Sequence, residues 1–371
     1  MDRRILITGG AGFIGCHVAR ALLSKGYSVR ALDNLLEQVH RPDAPRNPIL
    51  REVELIEADI RDGERVAAAL RGVDAVIHLA AEVGVGQSMY AIDRYVSVND
   101  RGTAVLFQAL IEHPVRRIVV ASSMSVYGEG LYRRADGAAV EDAERPGERN
   151  GSGGWDPVDA DGVPLRPVPT PEWKRPQLAS VYALTKYAQE RLTMTVAPAF
   201  GMEGVALRLF NAYGPGQALS NPYTGVLAIF ASRLLNGEPP MIFEDGEQRR
   251  DFVHVEDVAR AFVLALEQPE AAGGVFNIAS GRDRSVAEVA TALARAMGRS
   301  DVAPEIVGKM RVGDIRHCFA DIGLAERRLG FRPQRTLEGS LGELAEWVMR
   351  QRAADRVLEA RRELEARGLV A

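Results

Sequence analysis

The first forty residues alternate between short apolar runs and an amphipathic stretch. Residues 4–8, RILIT, form a continuous apolar run, and the pattern predicts a short buried strand. A glycine-rich turn follows from Gly9 to Gly15. Residues 13–25 then place apolar side chains at helical spacing and stop at Gly26, and SVRALD at 28–33 predicts a second strand. The alternation continues with strands near 53–57, at 74–79 and at 116–122, and helices near 64–70 and ending near Leu110. A helix over 181–196 and a strand over 203–209 complete it. Strands alternating with helices in this way predict an α/β fold, a Rossmann-type doubly wound parallel sheet.

Two regions depart from that rhythm. Between Tyr127 and Ser180 lie Pro146, Pro157, Pro164, Pro167, Pro169, Pro171 and Pro176, with the run NGSGG at 150–154. A long irregular stretch inside a compact domain is usually functional or disordered. It is expected to be a partly ordered excursion at the active-site mouth, with a surface decoration as the alternative. After Asn211, turn-rich segments alternate with helices near 225–236, 257–267 and 285–297. A last amphipathic helix is expected from about Leu337 to Gln351, with an extension into the charged tail left open. The expected division is a dinucleotide-binding domain over 1–207, with an irregular insertion over 129–178, and a smaller C-terminal α/β substrate-binding lobe over 208–371. Some segments of that lobe are expected to pack back on the first domain.

Composition removes several function classes. A net charge of −4 with scattered basic residues gives no reason to expect nucleic acid. No apolar run has the length of a membrane helix. The start MDRRILITGG enters a strand rather than a signal peptide, so a cytoplasmic, reducing setting is the default. The cysteines, Cys16 and Cys318, lie far apart in no ligand spacing, so no metal is expected.

The turn TGGAGFIG at 8–15 follows a strand and opens a helix. Glycines there let the chain turn sharply and let a pyrophosphate approach the backbone, while the helix start offers free N–H groups. Asp33, at the end of the second strand, is placed to accept from ribose hydroxyls and to repel a 2′-phosphate, which favours NAD over NADP. Asp59 and Ile60 suit the adenine end, although Asp59 also reads as a helix cap. Tyr182 and Lys186 stand four apart on a helix and share one face. A nearby ammonium and the nicotinamide charge both favour a phenolate.

TGGAGFIG, HLAA at 78–81, VND at 98–100, SSMSVYG at 122–128, YALTK at 182–186, RLFNAYGPG at 208–216 and RRDFVHVEDVA at 249–259 resemble the extended short-chain dehydrogenase/reductase family. Within it the chain is most similar to nucleotide-sugar epimerases of the UDP-galactose 4-epimerase type. Residues 220–255 resemble the dTDP-rhamnose 4-epimerase-like branch.

The resemblance implies Ser123, Tyr182 and Lys186 as the catalytic set. It implies NAD contacts from Gly9, Gly12, Phe13, Ile14, Gly15, Asp33, Asn34, Asp59, Ile60, Leu79, Ala80, Ala81, Asn99 and Ser122, besides Tyr182 and Lys186. Substrate contacts are implied for Ser123, for Asn211, for Arg250 and Arg311 on the diphosphate, and for Phe243 at the base; Arg249 rivals Arg250, and a core role rivals a base contact for Phe243. The implied substrate is a UDP- or dTDP-linked sugar, and the implied assembly a homodimer formed through the Tyr182 helix.

Related dehydratases carry Asp-Glu after the catalytic serine or threonine, and related decarboxylases carry Glu before Val-Tyr-Gly. Here those places hold Met124 and Ser125, which cannot do carboxylate acid/base work. The expected reaction is therefore 4-epimerisation, through a 4-keto sugar reduced again on its opposite face. A 4-ketoreductase is the nearest rival, a decarboxylase or dehydratase a weaker one, and a non-catalytic dinucleotide sensor the remotest.

Overall fold

A computed structural model describes residues 3–41, 45–145 and 154–370. Pro146 and most of the NGSGG run lie outside the described residues.

β1 (Arg4–Thr8), β2 (Ser28–Asp33), β3 (Glu54–Glu57), β4 (Ala75–His78), β5 (Arg117–Ser123), β9 (Glu203–Leu209) and β13 (Val275–Ile278) form a seven-stranded parallel sheet. Its order is β13-β9-β5-β4-β1-β2-β3. The chain winds outward from β1 through β2 to β3, then crosses to β4 on the other side. That reversal opens a crevice beyond the C-terminal ends of β1 and β4, where ligands bind in open α/β sheets. Every residue of β4 and of β5 is buried, which explains the apolar runs at 75–77 and 118–121.

Helices cover both faces. α1 (Phe13–Leu23) and α8 (Val255–Glu267) pack together on one, with Val18, Leu22, Phe262 and Leu266 in a common core. On the other, α2 (Gly63–Leu70), α5 (Gly102–Glu112) and α6 (Val181–Ala199) enclose Val66, Leu106, Leu110 and Ala197. Between β4 and α5 the chain makes two single-turn helices, α3 (Val85–Ser88) and α4 (Ile92–Tyr95), then a wide helical turn over Val96–Arg101.

The smaller lobe has its own core of Leu227, Phe230, Leu293 and Leu344. These come from α7 (Val226–Leu235), α9 (Val286–Ala296) and α11 (Leu337–Met349). Short strands complete it. β10 (Asn211–Tyr213) pairs with β12 (Arg249–His254), which also pairs with β14 (Asp283–Ser285) and β16 (His317–Cys318). β11 (Met241–Ile242) pairs with β15 (Glu305–Ile306). α10 (Gly323–Leu329) packs near β13. The last expected helix ends at Met349, and the charged tail forms a separate helix, α12 (Val357–Glu365). Among the described residues no helix is long and apolar enough to cross a membrane.

The irregular stretch holds more order than its sequence pattern suggests. β6 (Leu131–Arg133) pairs antiparallel with β7 (Ala139–Val140) and with β8 (Arg166–Val168). Strands this short carry no readable periodicity. Its described residues are not part of the large cavity wall, but Arg145 donates to the carbonyl of Asp314, which is, at 3.0 Å. They also brace the small lobe. Buried Glu129, just ahead of β6, accepts from the N–H groups of Arg316 at 2.6 Å and His317 at 3.1 Å. Asp156 accepts from the Arg316 guanidinium at 2.7 Å and pairs with the His317 ring at 2.9 Å.

Candidate active site

A cavity of about 1310 Å³ runs from the glycine turn, past the C-terminal ends of the parallel strands, into the small lobe. At one end, Gly9 has φ +70°, and a Cβ there would stand 2.8 Å from the Ala80 nitrogen. At Gly15 a Cβ would stand 2.5 Å from the Gly9 oxygen. Gly12 caps α1 without a side-chain bond, and the first turn carries no acid. Its N–H groups are thus open to an anion. Asp33 binds the same turn, accepting from the N–H groups of Ala11 at 3.0 Å and Leu35 at 2.9 Å. A backbone cradle too tight for side chains, an uncapped helix start and a carboxylate at the end of β2 fit a dinucleotide.

At the tips of β5 and α6 three expected residues converge. Ser180 caps α6, accepting from the Ala183 N–H at 3.1 Å, and so starts the helix that presents Tyr182 and Lys186 to the cavity. Burial pushes the Tyr182 phenol up, and its hydrogen bond with Ser123 opposes that. The Lys186 amine, pushed down to about 7 by burial, points to Gln189 Oε1 at 2.6 Å. Ser123 Oγ also accepts from Ser125, from Oγ at 2.8 Å and from N–H at 3.2 Å.

The small lobe contributes Asn211, Phe243, Arg250 and Arg311 to the same cavity. Asn211 donates to the Asp251 carbonyl at 3.1 Å. Arg250 donates to the carbonyls of Arg249 at 3.0 Å, Arg316 at 2.9 Å and Ile315. Phe243 lies just past β11, half-buried, with the Arg311 guanidinium 4.6 Å from its ring centre. Arg249 pairs instead with Asp283 and is absent from the wall. Asp314 was not singled out in the sequence. Burial raises its carboxyl, but Arg311, Arg250 and Arg145 outweigh that and hold it below the usual range. Its signal is its place three residues after Arg311.

Phe13, Ile14, Asn34, Ile60, Leu79, Ala80, Ala81 and Ser122 also line the wall. Asp59 and Asn99 do not. The Asp59 carboxylate is taken up by Arg61, at 2.7 and 2.8 Å, and the cap of α2 is Asp62. The buried Asn99 amide spans Glu82 and Thr185 instead. Its oxygen accepts from the Glu82 N–H at 2.7 Å, and its nitrogen donates to the Glu82 carbonyl at 3.1 Å and to Thr185 Oγ1 at 2.9 Å. Glu82 itself lines the cavity, with its carboxylate held by Arg94 at 2.7 Å.

The profile of the NAD dependent epimerase/dehydratase family matches residues 5–148 and 164–279. The chain belongs to that family. It is 37% identical over 354 residues to a dTDP-L-rhamnose 4-epimerase of Burkholderia thailandensis, covering 94% of this chain and 96% of that one. Among solved structures it is similar to the UDP-glucose 4-epimerase of Thermotoga maritima bound to UDP-glucose. That match has a TM-score of 0.75 and 32% identity, over 93% of this chain and 98% of the other. The Thermus thermophilus UDP-glucose 4-epimerase, in complex with NAD, matches at a TM-score of 0.71 and 30% identity, over 94% and 100%. The family is NAD-dependent, and its members are enzymes of nucleotide-sugar chemistry.

Proposed function

We propose that this protein is an NAD-dependent nucleotide-diphosphate-sugar 4-epimerase. One observation carries the reading. Ser123, Tyr182 and Lys186 share a cavity with Arg250 and Arg311, and Met124 and Ser125 stand where dehydration or decarboxylation needs a carboxylate. Glu82, the nearest acid after β4, is neutralised by Arg94.

The Gly9–Gly15 turn, α1 and Asp33 would hold NAD, which would supply a hydride acceptor able to return the hydride. Tyr182 takes the proton of the C4 hydroxyl and later gives it back. Ser123 holds the same oxygen by a hydrogen bond. Arg250 and Arg311 grip the diphosphate, whose several oxygens suit forked guanidinium donors. The sugar is left free to turn between the two transfers. The substrate class is a UDP- or dTDP-linked sugar, in keeping with the relatives above. Exposed Leu184 on α6 and exposed Ile92 and Val96 beside it support a homodimer formed along that helix.

The test is incubation of purified protein with candidate nucleotide sugars and no added reductant. Appearance of the C4 epimer is expected. Conversion only when NADH is supplied, without an epimer, overturns the reading in favour of a 4-ketoreductase.

A further inference from the structure

After α11 the chain turns back across the cavity. The crossing is tied down where it begins. The Arg233 guanidinium on α7 donates to Asp355 at 3.0 Å. The Ala354 N–H donates to Ser220 Oγ at 3.1 Å, and Arg41, beyond β2, reaches the Arg352 carbonyl at 3.4 Å. α12 then turns Ala360, Arg361 and Leu364 into the cavity, while Leu358 on its other face stays exposed. Past the helix, the Arg367 guanidinium lies 4.5 Å from the centre of the Tyr90 ring. The Val312 N–H donates to the Leu369 carbonyl at 3.0 Å, and Val370 bridges antiparallel to Arg311. Leu364 lies against Gly86 on the sheet side of the cavity, and the segment reaches the lobe side at 311–312.

Its position along the cavity follows from a chain of contacts. Asn211 lies by Met124, next to Ser123. Arg311 stacks on Phe243, two residues beyond Met241. The Arg361 guanidinium meets Met241 Sδ at 3.5 Å, and its Nε donates to Glu365 at 2.9 Å. Arg361 thus lies against β11, two residues from Phe243, the side chain expected at the nucleotide base. A thioether is a weak acceptor for a guanidinium, so a better one brought into the cavity will displace it.

We propose that α12 walls the nucleoside end of the cavity and that Arg361 donates a hydrogen bond to a carbonyl oxygen of a pyrimidine base. This rests on the nucleotide-sugar reading given above. The α12 segment makes the pocket for the base, beside Phe243 and the Arg311 guanidinium stacked on it.

The test is calorimetric titration of the full-length protein with UDP and with dTDP. Arg361→Met keeps the aliphatic stem and loses the donors. It is expected to raise Kd for both about tenfold, the worth of one charge-assisted hydrogen bond. The KM for the nucleotide sugar is expected to rise with it, while bound NAD is unchanged. Leu358→Ala, on the outer face of the same helix, is expected to leave Kd as it was. An Arg361→Met protein with unaltered Kd overturns the inference alone. An unaltered protein that binds neither UDP nor dTDP overturns the nucleotide-sugar reading, and the inference falls with it.

Discussion

The Lys186 amine donates to Gln189 Oε1 at 2.6 Å, one turn further along α6. Gln189 passes the connection inward. Its amide nitrogen donates to Thr103 Oγ1 at 2.8 Å and to the Ala80 carbonyl at 3.2 Å. His78, pushed down to about 3 by burial, is a neutral member of the same group. The amine is thus held from beneath by neutral partners, which stabilise its charge less than a carboxylate would.

Stability of the cofactor-free protein should depend on that burial. Lys186 falls from the usual 10.5 to about 7 in the folded chain. Between those values the unfolded chain binds the extra proton, so stability rises with pH across about 7 to 10.5 and is flat below. Urea midpoints at pH 7 and pH 9.5 check this. The rise should be smaller in Lys186→Met, and an equal rise in both proteins would count against the assignment.

Tyr182→Phe should lower kcat by about 10²–10⁴-fold, the usual worth of a positioned acid/base. The Kd for UDP or dTDP should hardly move, because Arg250 and Arg311 stay in place. Steady-state kinetics with calorimetry separate the two effects. Retained turnover would remove the phenol from the reaction.

Asp33→Asn should weaken NAD binding about tenfold and narrow the preference over NADP, because a neutral amide no longer repels a 2′-phosphate. Fluorescence titration with both cofactors reads the ratio. An unchanged preference would show that another group selects the cofactor.

Arg316 is buried among Glu244, Asp245 and Asp156, at 2.9, 2.5 and 2.7 Å. Arg316→Met leaves Glu244 buried beside one remaining cation, Arg145, and should cost about 3–5 kcal/mol of stability. The segment carrying Arg311 is braced by that cluster, so UDP affinity should fall while NAD is retained. Denaturant unfolding and calorimetry test the pair of effects, and loss of NAD binding instead would put the cluster's influence elsewhere.

The sheet was legible because most of its strands, β3 excepted, are buried on both faces and read as apolar runs, as RILIT and RRIVVAS do. The glycine turn was legible because steric crowding at Gly9 and Gly15 admits few residues. Other parts left weaker traces. β6, β7 and β8 are too short to show a period, and their pairing depends on Thr170 and Glu129 meeting residues from 316–320. α12 reads as a charged tail, since only Ala360 and Leu364 along it are buried. Gln189 looks like any polar residue on a helix until the fold sets it under Lys186. Asn99 and Asp59 show the opposite case. Their neighbourhoods were found, but Glu82 and Arg61 claim their side chains.

β13, at Val275–Ile278, forms the outer edge of the sheet beside β9, at Glu203–Leu209, while the segment between them builds much of the small lobe. Until β13 arrives, β9 presents an open row of hydrogen-bonding groups able to pair with another chain. Closing it needs contacts distant in sequence, which slows folding. The nascent chain is therefore most exposed to aggregation in the interval between making β9 and making β13. Substitutions that delay the intervening lobe should lower soluble yield even where they leave the finished enzyme's stability unchanged.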